Sequence, residues 1–175
     1  MKKILITILL IMSILPAAAK TLSGGVVYTV ESAREAAFEG IEYEISMEPF
    51  KKYMTDPGFI SPAKTEGGKP KVSKRGRWIT YFSDGGYGVT YKNDSDVGYY
   101  YNYKGKLEML EIDEKNKNAF PYLSKQYDIN GKLLQVSQEV SERESYVFDT
   151  QKKLLAHWIN QYGYNEKGEL EKTRR

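Results

Sequence analysis

Tyr127-Asp128-Ile129-Asn130-Gly131-Lys132-Leu133-Leu134 decides the fold, because its pattern returns three more times along the chain. Tyr101-Asn102-Tyr103-Lys104-Gly105-Lys106-Leu107-Glu108 and Tyr164-Asn165-Glu166-Lys167-Gly168-Glu169-Leu170-Glu171 keep an aromatic ring, Asn or Asp, Gly, a charge and Leu in register. Phe148-Asp149-Thr150-Gln151-Lys152-Lys153-Leu154-Leu155 is the fourth copy, with Lys152 where the others have glycine. A short internal repeat defines architecture before any single residue does. Asn-Gly is a strong hairpin signal, since both residues accept the positive φ of a tight primed turn. The aromatic residue then ends one strand and Leu begins the next. The loss of glycine at Lys152 argues against a strictly identical turn in that copy.

Tyr-Asp-x-x-Gly-Lys-Leu resembles the unit of the YD-repeat proteins, and a similar Tyr-and-Gly hairpin pattern occurs in MORN-like repeats. The resemblance covers roughly residues 99–171. It implies β-hairpins in a secreted bacterial polypeptide, and it carries no catalytic residue with it.

Working outward, Trp78-Ile79-Thr80-Tyr81-Phe82, the turn Ser83-Asp84-Gly85-Gly86, and Tyr87 to Tyr91 read as an earlier hairpin whose turn echoes the motif only loosely. Sequential hairpins pair with their neighbours, which predicts an antiparallel meander. Alternation in the strand after Gly105 puts Leu107, Met109 and Glu111 on one face and Glu108, Leu110 and Ile112 on the other, covered one. Further upstream, Thr29 to Gly40 reads as a short helix with Thr29 as cap, Glu31 and Glu35 near its positive end and Gly40 as its stop. A turn or two of helix from Met47 to Tyr53 follows, with Pro49 in its first turn, and Asp56-Pro57-Gly58 ends it. The expected fold class is α+β: a short N-terminal helix packed on an antiparallel meander of repeated hairpins. Its parts are a helical segment over 20–60, a linker or mobile loop over 61–76 that is almost free of apolar side chains, and a hairpin region over 77–175. Segments 20–60 and 77–175 read as one domain.

Met1-Lys2-Lys3, the apolar run Ile4 to Leu15 and Pro16-Ala17-Ala18-Ala19 have the layout of a secretory signal peptide cleaved after Ala19. The apolar run is shorter than the roughly 20 residues that span a bilayer, so no stable membrane span is expected once it is removed. Removing Lys2 and Lys3 takes the formal charge from +3 to +1, and such balance argues against a nucleic-acid partner. The chain has no cysteine, which excludes disulfide staples and a lipidated-cysteine anchor and leaves stability to packing.

No Gly-x-Ser-x-Gly, His-Glu-x-x-His or phosphate-cradling glycine loop is present, so no cofactor, metal or catalytic residue is assigned. His157 is the only histidine. On a strand it shares a face with Leu155 and Ile159, opposite Ala156 and Trp158, and is expected to be a packed, hydrogen-bonded structural side chain. Asn93-Asp94-Ser95-Asp96 has the alternate acids of a calcium loop but lacks the later ligands, and reads as a polar turn. Glu108, Glu111 and Asp113 are acids that a two-carboxylate hydrolase could use. Tyr99, Tyr101, Tyr103 and Trp158 are the candidate binding residues, because exposed rings beside Asn and Asp stack on sugars or grip peptides. The competing account of the tyrosines is cross-strand packing. Taken together the sequence points to an exported, secreted or periplasmic, non-catalytic binding module with an envelope polysaccharide, peptide or protein partner. A cell-wall or glycan-acting hydrolase and a structural accessory protein are the alternatives.

Overall fold

The structure is a computed structural model that describes residues 28–65, 68–114 and 119–173. The leader with its Ala19 site lies outside the described residues. Helix α1, Val30–Phe38, starts at a reciprocal cap in which Thr29 Oγ1 accepts from the Ser32 amide at 3.2 Å and Ser32 Oγ from the Thr29 amide at 2.9 Å. A 3₁₀ segment, Glu48–Tyr53, follows, and two short strands, β1 (Phe59–Ser61) and β2 (Lys71–Val72), pair with each other. Within the 61–76 stretch, Val72 is therefore paired with Phe59 and buried in the cluster that holds Tyr87 and Tyr99 rather than solvated.

Ten strands then run in strict chain order as one antiparallel sheet: β3 (Arg77–Tyr81), β4 (Tyr87–Tyr91), β5 (Asp94–Tyr101), β6 (Leu107–Asp113), β7 (Tyr122–Asp128), β8 (Leu133–Ser141), β9 (Glu144–Asp149), β10 (Leu154–Ile159), β11 (Tyr162–Tyr164) and β12 (Leu170–Thr173). The fold is α+β, a meander with one short helix.

All four copies of the motif make the same turn. The Asn or Asp side chain of Asn102, Asp128, Asp149 and Asn165 accepts from the backbone amides two and four residues on, at 2.8 to 3.2 Å. One residue per copy holds positive φ: Gly105 at 73°, Gly131 at 83°, Lys152 at 66° and Gly168 at 76°. Asn130 is not among them, which corrects the primed turn read from Asn130-Gly131. The geometry is a type I turn followed by a left-handed residue, the next commonest hairpin closure. Lys152 adopts the same backbone as the glycines, so the turn is set by the side-chain cap as much as by glycine. The earlier Phe82 turn has the matching backbone bonds, Phe82 N to Gly86 O and Gly85 N to Phe82 O, but the residue in the cap position is Phe82, and it is Asp84, two residues on, that accepts from the Gly86 amide at 2.8 Å.

Immediately after each turn an extra residue bulges. Tyr101 pairs with Leu107 but Tyr100 with Met109, leaving Glu108 unpaired, and Leu134, Leu155 and Glu171 occupy the same place in the other copies. A bulge resets the two-residue period. Leu107 therefore faces the same side as Leu110 rather than Met109, and both are buried. Leu133 is 2% exposed while its neighbour Leu134 is 43% exposed.

One face of the sheet is filled by the chain's own N-terminal arm, residues 28–61. Ala33 and Ala37 pack on Val136, Val140 and Phe148, and Phe38 meets the Phe148 ring edge-on at 6.2 Å. Ile41, Ile45 and Met47 cover Leu110, Tyr127 and Leu133. Phe50 and Tyr53 lie against Tyr99. The arm is tied to two motif turns by backbone bonds, Ile45 N to Gly131 O and Leu133 N to Tyr43 O at one, Asp56 N to Gly105 O and Leu107 N to Met54 O at the next. Its end is clamped by the buried Asp56, which accepts from Arg77 and from the Tyr87 hydroxyl at 2.9 Å.

Candidate functional site: the open face of the sheet

Because side chains alternate, covering one face with the arm leaves the other residue set on the opposite face. Cross-strand register places that set in rows. One row runs Trp78, Thr90, Gly98, Glu111, Gln126 and Gln135 across β3 to β8. Beside it run Asp113, Ser124, Ser137, Val147 and Ala156. A third row holds Tyr122, Glu139, Ser145, Trp158, Gly163 and Lys172.

These rows line two hollows, of about 490 Å³ and about 190 Å³, that share Glu111 and Asp113 and so form one trough across the strands. The smaller hollow exists because Gly88 and Gly98 carry no side chain. Tyr100 leans over that gap, where a Cβ on either glycine would meet its ring at 3.5 to 3.7 Å, and Phe82 stacks on it at 5.9 Å with 12° between planes. The larger hollow has a floor of small and amide side chains. Gln126 Nε2 donates to Glu111 Oε2 at 2.6 Å, the Tyr100 hydroxyl donates to the same oxygen at 3.3 Å, and Ser137 Oγ donates to Glu139 at 2.5 Å. Tyr122 lines this hollow with Glu139, Asp113 and Glu111, and burial first, then those three charges, push its hydroxyl well above its ordinary range. Burial, then Glu111, does the same to Tyr100. Both hydroxyls stay protonated and remain donors at neutral pH.

The residues singled out in the sequence separate in space. Tyr99 and Tyr101 are 1% and 2% exposed beneath the arm, so a surface ligand does not reach them, and their role is the packing one. Tyr103 stands exposed on its turn with Lys104 Nζ 5.3 Å over its ring, away from the trough. Trp158 lines the trough. Tyr100, between the two buried tyrosines, is the member of the cluster on the open face. Of the acids, Glu111 and Asp113 line the trough while Glu108 sits on a bulge bonded to Asn102 at 3.1 Å. Nothing local in the sequence marks Glu139, Gln126, Gln135, Tyr122 and Phe82 as site residues, because membership of this face depends on pairing register. The signal present in the sequence is the pair of glycines, Gly88 and Gly98, each inside a strand.

His157 lies on the arm side, stacked on Tyr146 at 4.0 Å with Nε2 2.9 Å from Glu144 Oε1. The Tyr146 hydroxyl donates to the same oxygen and to the Tyr28 carbonyl. Leu155, expected on the histidine's face, instead lines the trough with Ala156 and Trp158, because it is the bulged residue. Asn93 falls in the two-residue turn between Tyr91 and Asp94. Among the described residues no group of three or more His, Cys, Asp or Glu side chains is disposed to hold a metal ion. Among the same residues no helix is long and apolar enough to cross a membrane.

No protein-family model, no curated protein and no solved structure matches the chain.

Proposed function

We propose that this protein is an exported, non-catalytic binding module of the cell envelope or extracellular space that takes its ligand on the open face of the sheet. The observation that carries the reading is the asymmetry of the two faces. One is filled by the chain's own arm, and the other holds a trough of rings, amides, hydroxyls and carboxylates, a mixture suited to orienting a polar ligand. Export rests on the Met1 to Ala19 leader pattern.

The chain's two tryptophans, Trp78 and Trp158, both line this face, so tryptophan emission reports on it directly. The test is a fluorescence titration of the processed protein with fractionated envelope polysaccharides and peptides, with acrylamide quenching alongside. A saturable emission change with protection from quenching, abolished in Trp158→Ala, is the expected result. Saturable binding that leaves both tryptophans as quenchable as before would defeat the assignment of the face. The hydrolase reading draws on Glu111, Asp113 and Glu139 in one hollow. It predicts product release from a bound glycan that stops in Asp113→Asn and Glu139→Gln.

A further inference from the structure

We infer that the stretch just before the described residues, Thr21-Leu22-Ser23-Gly24-Gly25-Val26-Val27, completes the arm by docking as a strap across the arm side of β10 to β12. This is the face opposite the trough, so the inference does not rest on the open-face reading.

The surface comes first. Helix α1 packs on β8 and β9 and reaches Leu154 where β10 begins. Past that point the same face carries Ile159, Tyr162, Tyr164 and Leu170, and pairing sets Ile159 beside Tyr162 and Tyr164 beside Leu170. Tyr162 is 39% exposed and Leu170 55%, and none of the four belongs to an apolar core cluster among the described residues. A contiguous exposed apolar patch marks a contact surface. Polar contacts frame it. At the turn end Arg34 Nη2 donates to Glu166 at 2.7 Å, and at the other end His157 stacks on Tyr146 and bonds to Glu144.

The occupant follows from where the chain arrives. The Tyr28 carbonyl accepts from the Tyr146 hydroxyl at 3.2 Å, and Tyr146 pairs with His157, so Val27 joins the described chain at the border of the patch. Toward β7 and β8 the ground is taken, since Leu123 and Val140 are buried with Ala33 and Ala37 of the helix. Toward β10 to β12 the apolar side chains stand open. The composition of the strap suits them. It has no charge from Thr21 to Val27, and in an extended chain Leu22, Gly24 and Val26 project to one side. Val26 to Leu22 then spans roughly 13 Å, enough to carry one from β10 to β12, which lie roughly 10 Å apart. Gly24 between them lets the backbone lie close on the tyrosine rings. A second copy is the poorer occupant, because β12 carries the bulged Glu171 and Lys172, and bulges and lysines on an edge strand oppose pairing with another chain.

The cysteine-free chain makes a cross-link test specific. In the protein beginning at Lys20, Leu22→Cys with Leu170→Cys is expected to close an intramolecular disulfide under mild oxidation at least tenfold faster than Leu22→Cys with Trp78→Cys, whose second thiol is on the open face. Leu170 and Trp78 are each 55% exposed, so both replacements keep the fold. Alongside, tyrosine nitration is mapped by mass spectrometry. Combining Leu22→Ser with Val26→Ser is expected to speed nitration of Tyr162 and Tyr164 at least threefold while Tyr103, away from the patch, keeps its rate. This second measurement needs no cysteine and decides the question should a thiol variant misfold. Cross-linking no faster than the open-face control overturns the docking, as does nitration of Tyr162 and Tyr164 unmoved by the two serines. Disulfide-linked dimers from Leu170→Cys alone, with no intramolecular bond in the paired variant, overturn it in favour of a second copy on the patch.

Discussion

At the residue scale, the position after the capped turn shows what glycine does here. Gly131 holds φ at 83°, and a Cβ there would sit 2.1 Å from the Ile45 carbonyl oxygen of the arm. Gly105 is pressed in the same way, its Cβ position 2.5 Å from the Phe59 ring. Lys152 has the same left-handed backbone, but there the arm arrives through side chains, Arg34 Nε donating to the Lys152 carbonyl and the Phe38 ring lying 5.3 Å from Lys152 Nζ. Gly131→Ala is therefore expected to cost about 2–4 kcal/mol in urea unfolding, through backbone strain and displacement of the arm. Lys152→Gly, which only relieves an unfavourable φ, is expected to be neutral or to stabilise by up to about 1 kcal/mol. Equal losses at both sites would show that the arm contact is not what glycine protects. The cap is testable through pH. Burial alone would raise the Asp128 carboxyl, but amide donation from Lys132 and Asn130 outweighs it and holds the group below its ordinary value. A depressed folded value means that the carboxylate's contribution is complete above about pH 4, the unfolded value, and fades as pH falls through the folded one. Asparagine already fills this place at Asn102 and Asn165, so Asp128→Asn is expected to keep neutral stability and flatten the acid limb of the stability curve.

At the element scale, local chemistry was legible and long-range placement was not. The helix cap at Thr29, the 3₁₀ segment at Pro49 and the hairpin order each follow from a handful of neighbouring residues, and each is present. Turn handedness and strand phase differ from the sequence expectation, because Asn130-Gly131 and Leu133-Leu134 look alike under several closures. Only the pairing register reveals that the second leucine bulges outward. The same register decides which of Tyr99, Tyr100 and Tyr101 faces the trough, so the candidate site was half visible, in Trp158, Glu111 and Asp113. The path of the arm was hidden for another reason. Asp56-Pro57-Gly58 reads as an ordinary turn, yet Asp56 and Arg77 form an ion pair whose side chains are 0% and 3% exposed. Gly58 is needed there, since a Cβ would collide with the Arg77 guanidinium. Removing one partner leaves a buried charge alone, so Arg77→Ala is expected to cost about 3–5 kcal/mol. The double replacement Asp56→Leu with Arg77→Met is expected to recover most of that loss. Additive losses in the double variant, read by chemical denaturation, would show that the two side chains act independently.

At the scale of the whole molecule, the absence of cysteine throws the load onto packing, and much of that packing is tyrosine. Tyr87, Tyr99, Tyr101 and Tyr127 are among the largest fully buried side chains, stacked between sheet and arm. A phenol gives a small domain nearly the apolar area of phenylalanine, but it carries a proton that the buried site will not release. Burial raises every one of these hydroxyls: Tyr127 is pushed up to about 12, with Glu42 adding to the effect, and Tyr87, Tyr99 and Tyr101 rise further. The sign follows from linkage. A folded value above the unfolded one, about 10, means that the stabilisation is complete below pH 10 and is lost as pH climbs from there through the folded values. Several coupled groups share that window, so the loss is expected to be steep. In a spectrophotometric titration the exposed tyrosines should ionise near pH 10 while the buried set stays silent, then appears together with the collapse of the sheet's circular dichroism. Tyr127→Phe, whose hydroxyl donates to the Glu42 carbonyl at 3.2 Å, should lose a little stability at neutral pH and move the alkaline midpoint upward. A smooth titration of all the tyrosines near pH 10 with the sheet intact would mean that the rings are not sealed between arm and sheet. The division of the molecule into one filled face and one open face would then fail with them.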